Sequence, residues 1–462
     1  MDKPANSHNL LPTVFVIFGA TGDLMQRKLA PALFHLYQEK LLPDMFQVVG
    51  FSKQELSTKE FQDWVAKTVG ESGEFSKFFL YQQGLFEEKG GYQKLSEFLG
   101  MKDGEWQVCS NKLFYIAASP QYYKTLFEKL AESGLTKPCS PEEGWTRVIV
   151  EKPFGKDLET AEELDRMLGK LFKEEQIYRI DHYLGKDTVQ NILAFRFSNA
   201  FLQDSWGEKG IESITIKLLE KGGIGERGMF YEGIGALRDV GQNHLLQLLA
   251  LFTMENPGSF EGNAIRKARA KVLRSLKVSD GSESVRGQYA GYLQEKNVAP
   301  GSTTETYFKI QTSLETSQWK GVSIILESGK AMAEDRVEVH VVFKHPMPCL
   351  CPPEAGKHYK NILHYFIQPK EGITLTLWAR KPGHGMEIEE RALSFDYREA
   401  FQEEEFADAY ERLLLNCIQG DQTQFVSTEE IMAEWKFVDP ILRAWQESKV
   451  PLKIYKPGTS PN

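Results

Sequence analysis

The sequence predicts an α/β, doubly wound domain over residues 1–185, followed by a larger α+β domain with a mainly antiparallel sheet over residues 186–462. Three observations carry this reading. The run TVFVIFGA (13–20) is apolar without alternation and enters a glycine-containing turn, as a parallel strand buried on both faces does. Apolar strands and amphipathic helices then alternate to about residue 180. After about residue 200, strand-like segments cluster and helices gather at the C-terminal end.

Each element follows from its periodicity. Residues 24–40 place Leu29, Ala32, Leu33, Leu36 and Tyr37 on one helical face, and FQVVGFS (46–52) reads as the next strand, completing a βαβ opening. KLFYIAAS (112–119) and TRVIVEKP (146–153) are further strands, separated by helical stretches such as 121–133. In the second domain IESITIKLLE, GVSIILESG, RVEVHVVFK, ILHYFIQ and ITLTLWAR read as strands, and helices follow over 404–418 and 428–445. No repeat of fixed period is present, which excludes solenoids and propellers.

Composition narrows the function. With 462 residues and 41% apolar content the chain is neither fibrous nor disordered. Lys and Arg number 55 against 64 Asp and Glu, a net charge of −9, which disfavours nucleic acid or an anionic membrane as partner. An anionic ligand therefore needs a local cluster of cations. The longest apolar runs, such as LLQLLALF (245–252), fall short of the roughly 20 residues of a membrane-spanning helix, and MDKPANSHNLL lacks the pattern of a secretory signal. Five scattered cysteines (Cys109, Cys139, Cys349, Cys351, Cys417) predict a reducing cytoplasmic setting and no disulfide framework. Cys349 and Cys351 have no second ligand pair at a zinc-like spacing, so no metal site is expected.

Four motifs carry chemistry. In GATGDLMQRKL (19–29), Gly19, Ala20, Thr21, Gly22, Asp23 and Leu24 lead from strand to helix, where free N–H groups suit a pyrophosphate. The spacing G-x-x-G also serves a tight structural turn. The second strand runs into Ser52 and Lys53, which favours the 2′-phosphate of NADP, while Glu55 leaves a ribose hydroxyl within the range of readings. EKPFG (151–155) closes a strand at the carboxyl edge of the sheet and delivers Lys152 there. RIDHYLGKD (179–187) precedes a helix over 186–197 and gathers His182, Tyr183 and Lys186 about its N-terminus, a site for a compact anion such as phosphate. In GALRDVGQNHLLQLLALF (235–252), Leu245, Leu248, Leu249 and Phe252 mark a buried helical face. Asp239, Gln242 and Asn243 form an adjoining polar stripe, with His244 at the seam as either a satisfied core histidine or a proton acceptor.

Taken in order, GATGDLMQRKL, EKPFG, RIDHYLGKD, RDVGQNHLLQ, GVSIILESGKA, DAYERLL and EWKFVDPIL resemble the glucose-6-phosphate dehydrogenase family over most of the chain. The resemblance implies a Rossmann-like first domain, a second domain that also forms the dimer contact, and oxidation of glucose 6-phosphate at C1 to the 1,5-lactone with NADP. It makes His244 the general base and Asp181 the carboxylate that orients it. It assigns His182, Tyr183 and Lys186 to the sugar phosphate, Lys152 to both substrate and cofactor, and Glu220, Asp239 and Lys330 to the sugar. Period-2 counting agrees for Glu220, which shares a strand face with Ile214, Ile216 and Leu218. A homodimer or homotetramer in the cytoplasm is what the resemblance implies.

The chain departs from the family pattern in three places. Asp335 and Arg336 stand where a second basic substrate contact is common; Lys53 replaces a frequent Arg, and ammonium lacks the guanidinium fork. The sequence stops at IYKPGTSPN, so a second, structural NADP site is not expected. Two rivals remain. A dehydrogenase similar to glucose-fructose oxidoreductase would not need the phosphate cluster, and a non-catalytic NADP-binding protein would not need the Asp181 and His244 pair.

Overall fold

In the computed structural model the residues described are 11–461, apart from 72, 139–142, 279–280, 349, 351–358 and 403–405. Cys139, Cys349 and Cys351, the start of the sequence and residues 404–405 of the predicted helix lie outside them.

Six parallel strands build the first sheet: β1 (Thr13–Phe18), β2 (Phe46–Ser52), β3 (Phe79–Gln83), β4 (Asn111–Ile116), β5 (Thr146–Val150) and β6 (Ile177–Ile180). Their spatial order is β3-β2-β1-β4-β5-β6. That is the doubly wound order, with a crevice at the carboxyl ends where the winding reverses beside β1. The apolar run of β1 has the physical reason expected of it. Val14, Val16 and Phe18 enter one core while Phe15 and Ile17 enter the other, so both faces of the strand are dry.

The second sheet is formed by β7 (Ile211–Leu219), β8 (Val285–Tyr289), β9 (Tyr307–Thr312), β10 (Ser323–Gly329), β11 (Arg336–Phe343), β12 (Ile362–Gln368), β13 (Gly372–Arg380) and β14 (Ile388–Asp396). After the short strand β15 (Phe425–Val426), β16 (Leu452–Tyr455) joins its edge. The pairings are antiparallel except β7 with β10 and β8 with β16. On β7 the inward residues Ile214, Ile216 and Leu218 pack with Leu245, Leu248, Leu249 and Phe252 in the core that also holds Val14 and Phe18. The two sheets thus share one apolar interior.

The C-terminal segment returns to the first sheet. β15 pairs antiparallel with β6. The helix Ala409–Gln419, predicted over 404–418, puts Leu413, Leu414, Cys417 and Ile418 onto Phe15, Ile17 and Leu33.

Several boundaries differ from the sequence reading. The helix expected over 24–40 contains a wide π-helical turn, Met25–Leu29, before the α-helix Ala30–Gln38. The stretch expected as one α-helix over 235–252 is π-helical over Leu237–Leu245 and α-helical only over Leu246–Thr253. Strands β3, β6, β8, β9, β14, β15 and β16 were not predicted, because they are short or carry polar residues on both alternations. Cys109 is disulfide-bonded, against the expectation of reduced thiols, while Cys417 is a buried free thiol.

Candidate active site

Parallel pairing brings the motifs to one edge. Phe18 lies beside Phe51 and Ile116, Ile116 beside Val150, and Val150 beside Arg179. Gly19, Ser52, Glu151 and Asp181, one or two residues beyond those positions, therefore line the carboxyl edge of the sheet at β1, β2, β5 and β6, with β4 between β1 and β5.

Gly19 has φ +84°, and a Cβ on it would stand 2.3 Å from the Ala117 carbonyl oxygen, so no other residue fits this turn. Its carbonyl accepts the Gly22 N–H at 2.9 Å, and the helix begins at Asp23. Ala20 is buried and Leu24 half-buried against the core, while Asp23 is exposed and paired with Arg27 at 2.7 Å. The hydroxyls of Thr21 and Ser52 are 2.8 Å apart, and Lys53 is exposed just beyond them. Backbone amides at a helix start, two hydroxyls and an ammonium group form a donor set that fits a dinucleotide.

The polar stripe of the second motif set closes over the same edge. His244 Nδ1 and Asp181 Oδ1 are 2.5 Å apart, both side chains 2% exposed. Asp181 Oδ1 also accepts the Tyr183 N–H at 3.0 Å, and Oδ2 is buried without a partner. Burial drives the Asp181 carboxyl up, but the charge of His244 and the bond it donates outweigh burial and hold the group at about 2. His244 is lowered from its ordinary 6.5 by burial; Asp181 acts to raise it and the Lys152 ammonium to lower it. A buried imidazole held neutral, with one nitrogen fixed on a carboxylate, is a proton acceptor of set tautomer.

The other His244 nitrogen, Nε2, is 2.8 Å from Lys152 Nζ, which also donates to the Asp239 carbonyl at 3.0 Å. The Lys152–Pro153 peptide is cis. Lys330 Nζ binds Glu220 Oε2 and lies 3.5 Å from Asp239 Oδ2. Burial raises Asp239 but Lys152 and Lys330 together bring it below its ordinary value. Lys152, Lys330, Glu220 and Asp239 thus form one alternating-charge chain ending at His244. This disposes donors and acceptors for a polyhydroxylated ligand.

The Tyr183 ring lies 4.3 Å from the His244 ring, tilted by 33°, and Lys186 Nζ stands 5.2 Å over the Tyr183 ring. Lys186 is the residue before the helix Asp187–Phe197, so its side chain and the positive helix end coincide. His182 lies 4.7 Å from the His244 ring; burial pushes it well below 6.5, and His244 and Lys152 add to the drop. It therefore offers an N–H, not a charge. Asp181, His182 and His244 have ligand atoms within 4.8 Å of one another, but the ammonium of Lys152 at 2.8 Å opposes a metal cation there.

The structure brings together every residue that the sequence singled out for base, sugar and phosphate, with Asp335 and Arg336 set apart. Asp335 Oδ1 accepts the Lys221 N–H at 2.9 Å, and Arg336 binds Glu334. The sequence reading missed three carboxyls around the site, Glu151 half-buried and Glu305 and Glu434 buried. Glu151 accepts the Tyr115 hydroxyl at 2.6 Å, Glu305 accepts the Leu237 N–H at 3.1 Å, and Glu434 accepts both Gln242 and Gln247. Glu434 had a signal: it interrupts an apolar helical stripe of Ile431, Val438 and Ile441.

Comparison with known proteins gives two family matches. Residues 16–191 match the glucose-6-phosphate dehydrogenase NAD binding domain and residues 193–461 the glucose-6-phosphate dehydrogenase C-terminal domain. Glucose-6-phosphate 1-dehydrogenase of Aggregatibacter actinomycetemcomitans is 41% identical over 92% of this chain and 90% of its own. That of Chlamydia pneumoniae is 38% identical over 97% and 93%. A solved glucose-6-phosphate dehydrogenase in complex with glucose 6-phosphate superposes with a TM-score of 0.90 at 34% identity, covering 98% of this chain and 96% of that one.

Proposed function

The chain belongs to the glucose-6-phosphate dehydrogenase family, and from that premise we propose a role for each residue of the site. The reaction is oxidation of D-glucose 6-phosphate at C1 to 6-phospho-D-glucono-1,5-lactone, the first step of the oxidative pentose phosphate pathway. The nicotinamide cofactor supplies the hydride acceptor when bound.

His244 Nε2 takes the C1 hydroxyl proton. Asp181 fixes Nδ1 as the donor and stabilises the imidazolium that forms. Lys152 lies against Nε2 and polarises the same oxygen, between sugar and nicotinamide. Glu220, Asp239 and Lys330 bind sugar hydroxyls, and His182, Tyr183 and Lys186 hold the 6-phosphate. Gly19, Ala20, Thr21, Gly22, Asp23 and Leu24 cradle the cofactor pyrophosphate. Ser52 and Lys53 receive the 2′-phosphate, so the cofactor is NADP. The observation that carries the reading is the neutral, buried His244 held 2.5 Å from an ionised Asp181 beside a cluster of phosphate donors.

A cytoplasmic setting and a homodimer or homotetramer complete the proposal. The phosphorylated sugar and nicotinamide pools support the first. For the second, Leu393 and Phe395 are exposed on one face of β14 at the edge of the second sheet, an apolar strip that a second copy would cover.

The test follows NADPH formation. His244→Asn is expected to lose about 10²–10⁴-fold in kcat while glucose 6-phosphate still binds. Lys186→Ala should raise KM for glucose 6-phosphate about 10- to 100-fold, the worth of a charged hydrogen bond, with no effect on free glucose. Lys53→Ala should cost about two- to fivefold in KM for NADP and nothing for NAD. Near-normal turnover in the asparagine variant would remove His244 from its role.

A further inference from the structure

His244 rides on an unusual piece of backbone. The π-helical segment Leu237–Leu245 closes wider turns than an α-helix, a form that is rare and seldom stable unaided. Locally it is tied by Asn243, whose Oδ1 accepts the His244 N–H at 2.7 Å. The stronger restraint comes from outside. Glu434, on the helix Thr428–Gln446, accepts the Gln242 amide at 3.1 Å through Oε2 and the Gln247 amide at 2.7 Å through Oε1. The two glutamines stand two residues before and three residues after His244. All three side chains of the clamp are essentially inaccessible, at 2% for Glu434 and Gln242 and 0% for Gln247.

We propose that Glu434 is a positioning residue of the reaction: by clamping Gln242 and Gln247 it fixes the wide helical turn that presents His244 to the C1 hydroxyl. This rests on the reading of His244 as proton acceptor. The chemistry of the clamp agrees. Glu430, one turn earlier, is balanced by Arg269 at 2.7 Å, but the Glu434 oxygens face amides. Burial first, and then the charge of Glu430, raise the Glu434 carboxyl well above its ordinary value, and Asp181 acts in the same direction. A carboxyl that keeps its proton adds no second negative charge behind the Asp181–His244 pair but needs an acceptor for that proton; Gln247 Oε1, buried without a partner, supplies it when its amide is turned over, and glutamine offers the same donor and acceptor. Glutamine should replace it and leucine should not.

The test compares Glu434→Leu, Glu434→Gln, Gln247→Leu and His244→Asn in kcat, KM for glucose 6-phosphate and thermal midpoint. A shift of about 1 Å at a reacting group costs up to about 10²-fold, so Glu434→Leu and Gln247→Leu should each lower kcat about tenfold or more. KM should rise less than kcat falls: the sugar contact Asp239 shares the clamped segment, but the phosphate donors lie on the separate segment 181–187. Glu434→Gln should retain kcat to within about threefold. A folded leucine variant with wild-type kcat overturns the proposal, as does a glutamine variant as slow as the leucine one. If Glu434→Leu does not fold, Gln247→Leu decides by the same criterion. Full activity of His244→Asn would instead refute the proton-acceptor reading on which the proposal stands.

Discussion

The Asp181–His244 pair sets opposing influences on one imidazole. Burial and Lys152 lower His244, and Asp181 raises it. Because the base works only when neutral, kcat/KM must fall as pH drops through the His244 value, which lies below 6.5. Asp181→Asn removes the raising influence, so the acid-side fall should move to lower pH while kcat drops about 10²-fold or more from loss of the tautomer. A pH profile of kcat/KM checks both; an acid limb that stays in place or moves up contradicts the assignment. At this scale the sequence was informative where chemistry clustered within a short segment, as in RIDHYLGKD. It could not show that His182 is neutral, since that follows from burial and from the neighbours His244 and Lys152, which lie elsewhere in the chain.

Secondary-structure elements place those groups through their ends and irregularities. The segment bearing Asp239 and His244 starts where Gly235, at φ +73°, lets the Glu305 carboxylate come within 2.2 Å of where a Cβ would be, and Glu305 caps the Leu237 N–H. Burial raises the Glu305 carboxyl from 4.5 to about 7, against the pull of that N–H, Arg238 and Arg286. The folded chain therefore holds a proton that the unfolded chain releases above 4.5. Its contribution to stability is fully present below that value and is lost as pH rises through about 7. Glu305→Gln keeps the acceptor and cannot ionise, so the wild-type melting temperature should fall relative to the variant between about pH 5 and pH 8. Parallel melting curves against pH would exclude the effect. Periodicity read the apolar faces of these elements correctly, yet 3.6-residue counting assigned regular α-helix to both π-helical stretches. A local widening leaves Leu245, Leu248 and Leu249 buried as before, so the pattern carries no trace of it.

Across the whole molecule, the first sheet is finished by the end of the chain. The apolar runs revealed four of its strands, β1, β2, β4 and β5, while β3, β6 and the two-residue β15 are too short for a period to register. Helix Ala409–Gln419 covers Phe15, Ile17 and Leu33, and β15 extends the sheet beyond β6. A fragment ending at residue 200 would leave that apolar face in water. It is expected to aggregate, with sedimentation as the measure; a monodisperse fragment that binds NADP would show that the cover is dispensable. This closure also has a temporal side. During synthesis the segment 13–180 leaves the ribosome well before residue 409, a delay on the order of 10–50 s at usual elongation rates. For that interval the nascent half-protein carries an uncovered hydrophobic face, making it a natural client for chaperones.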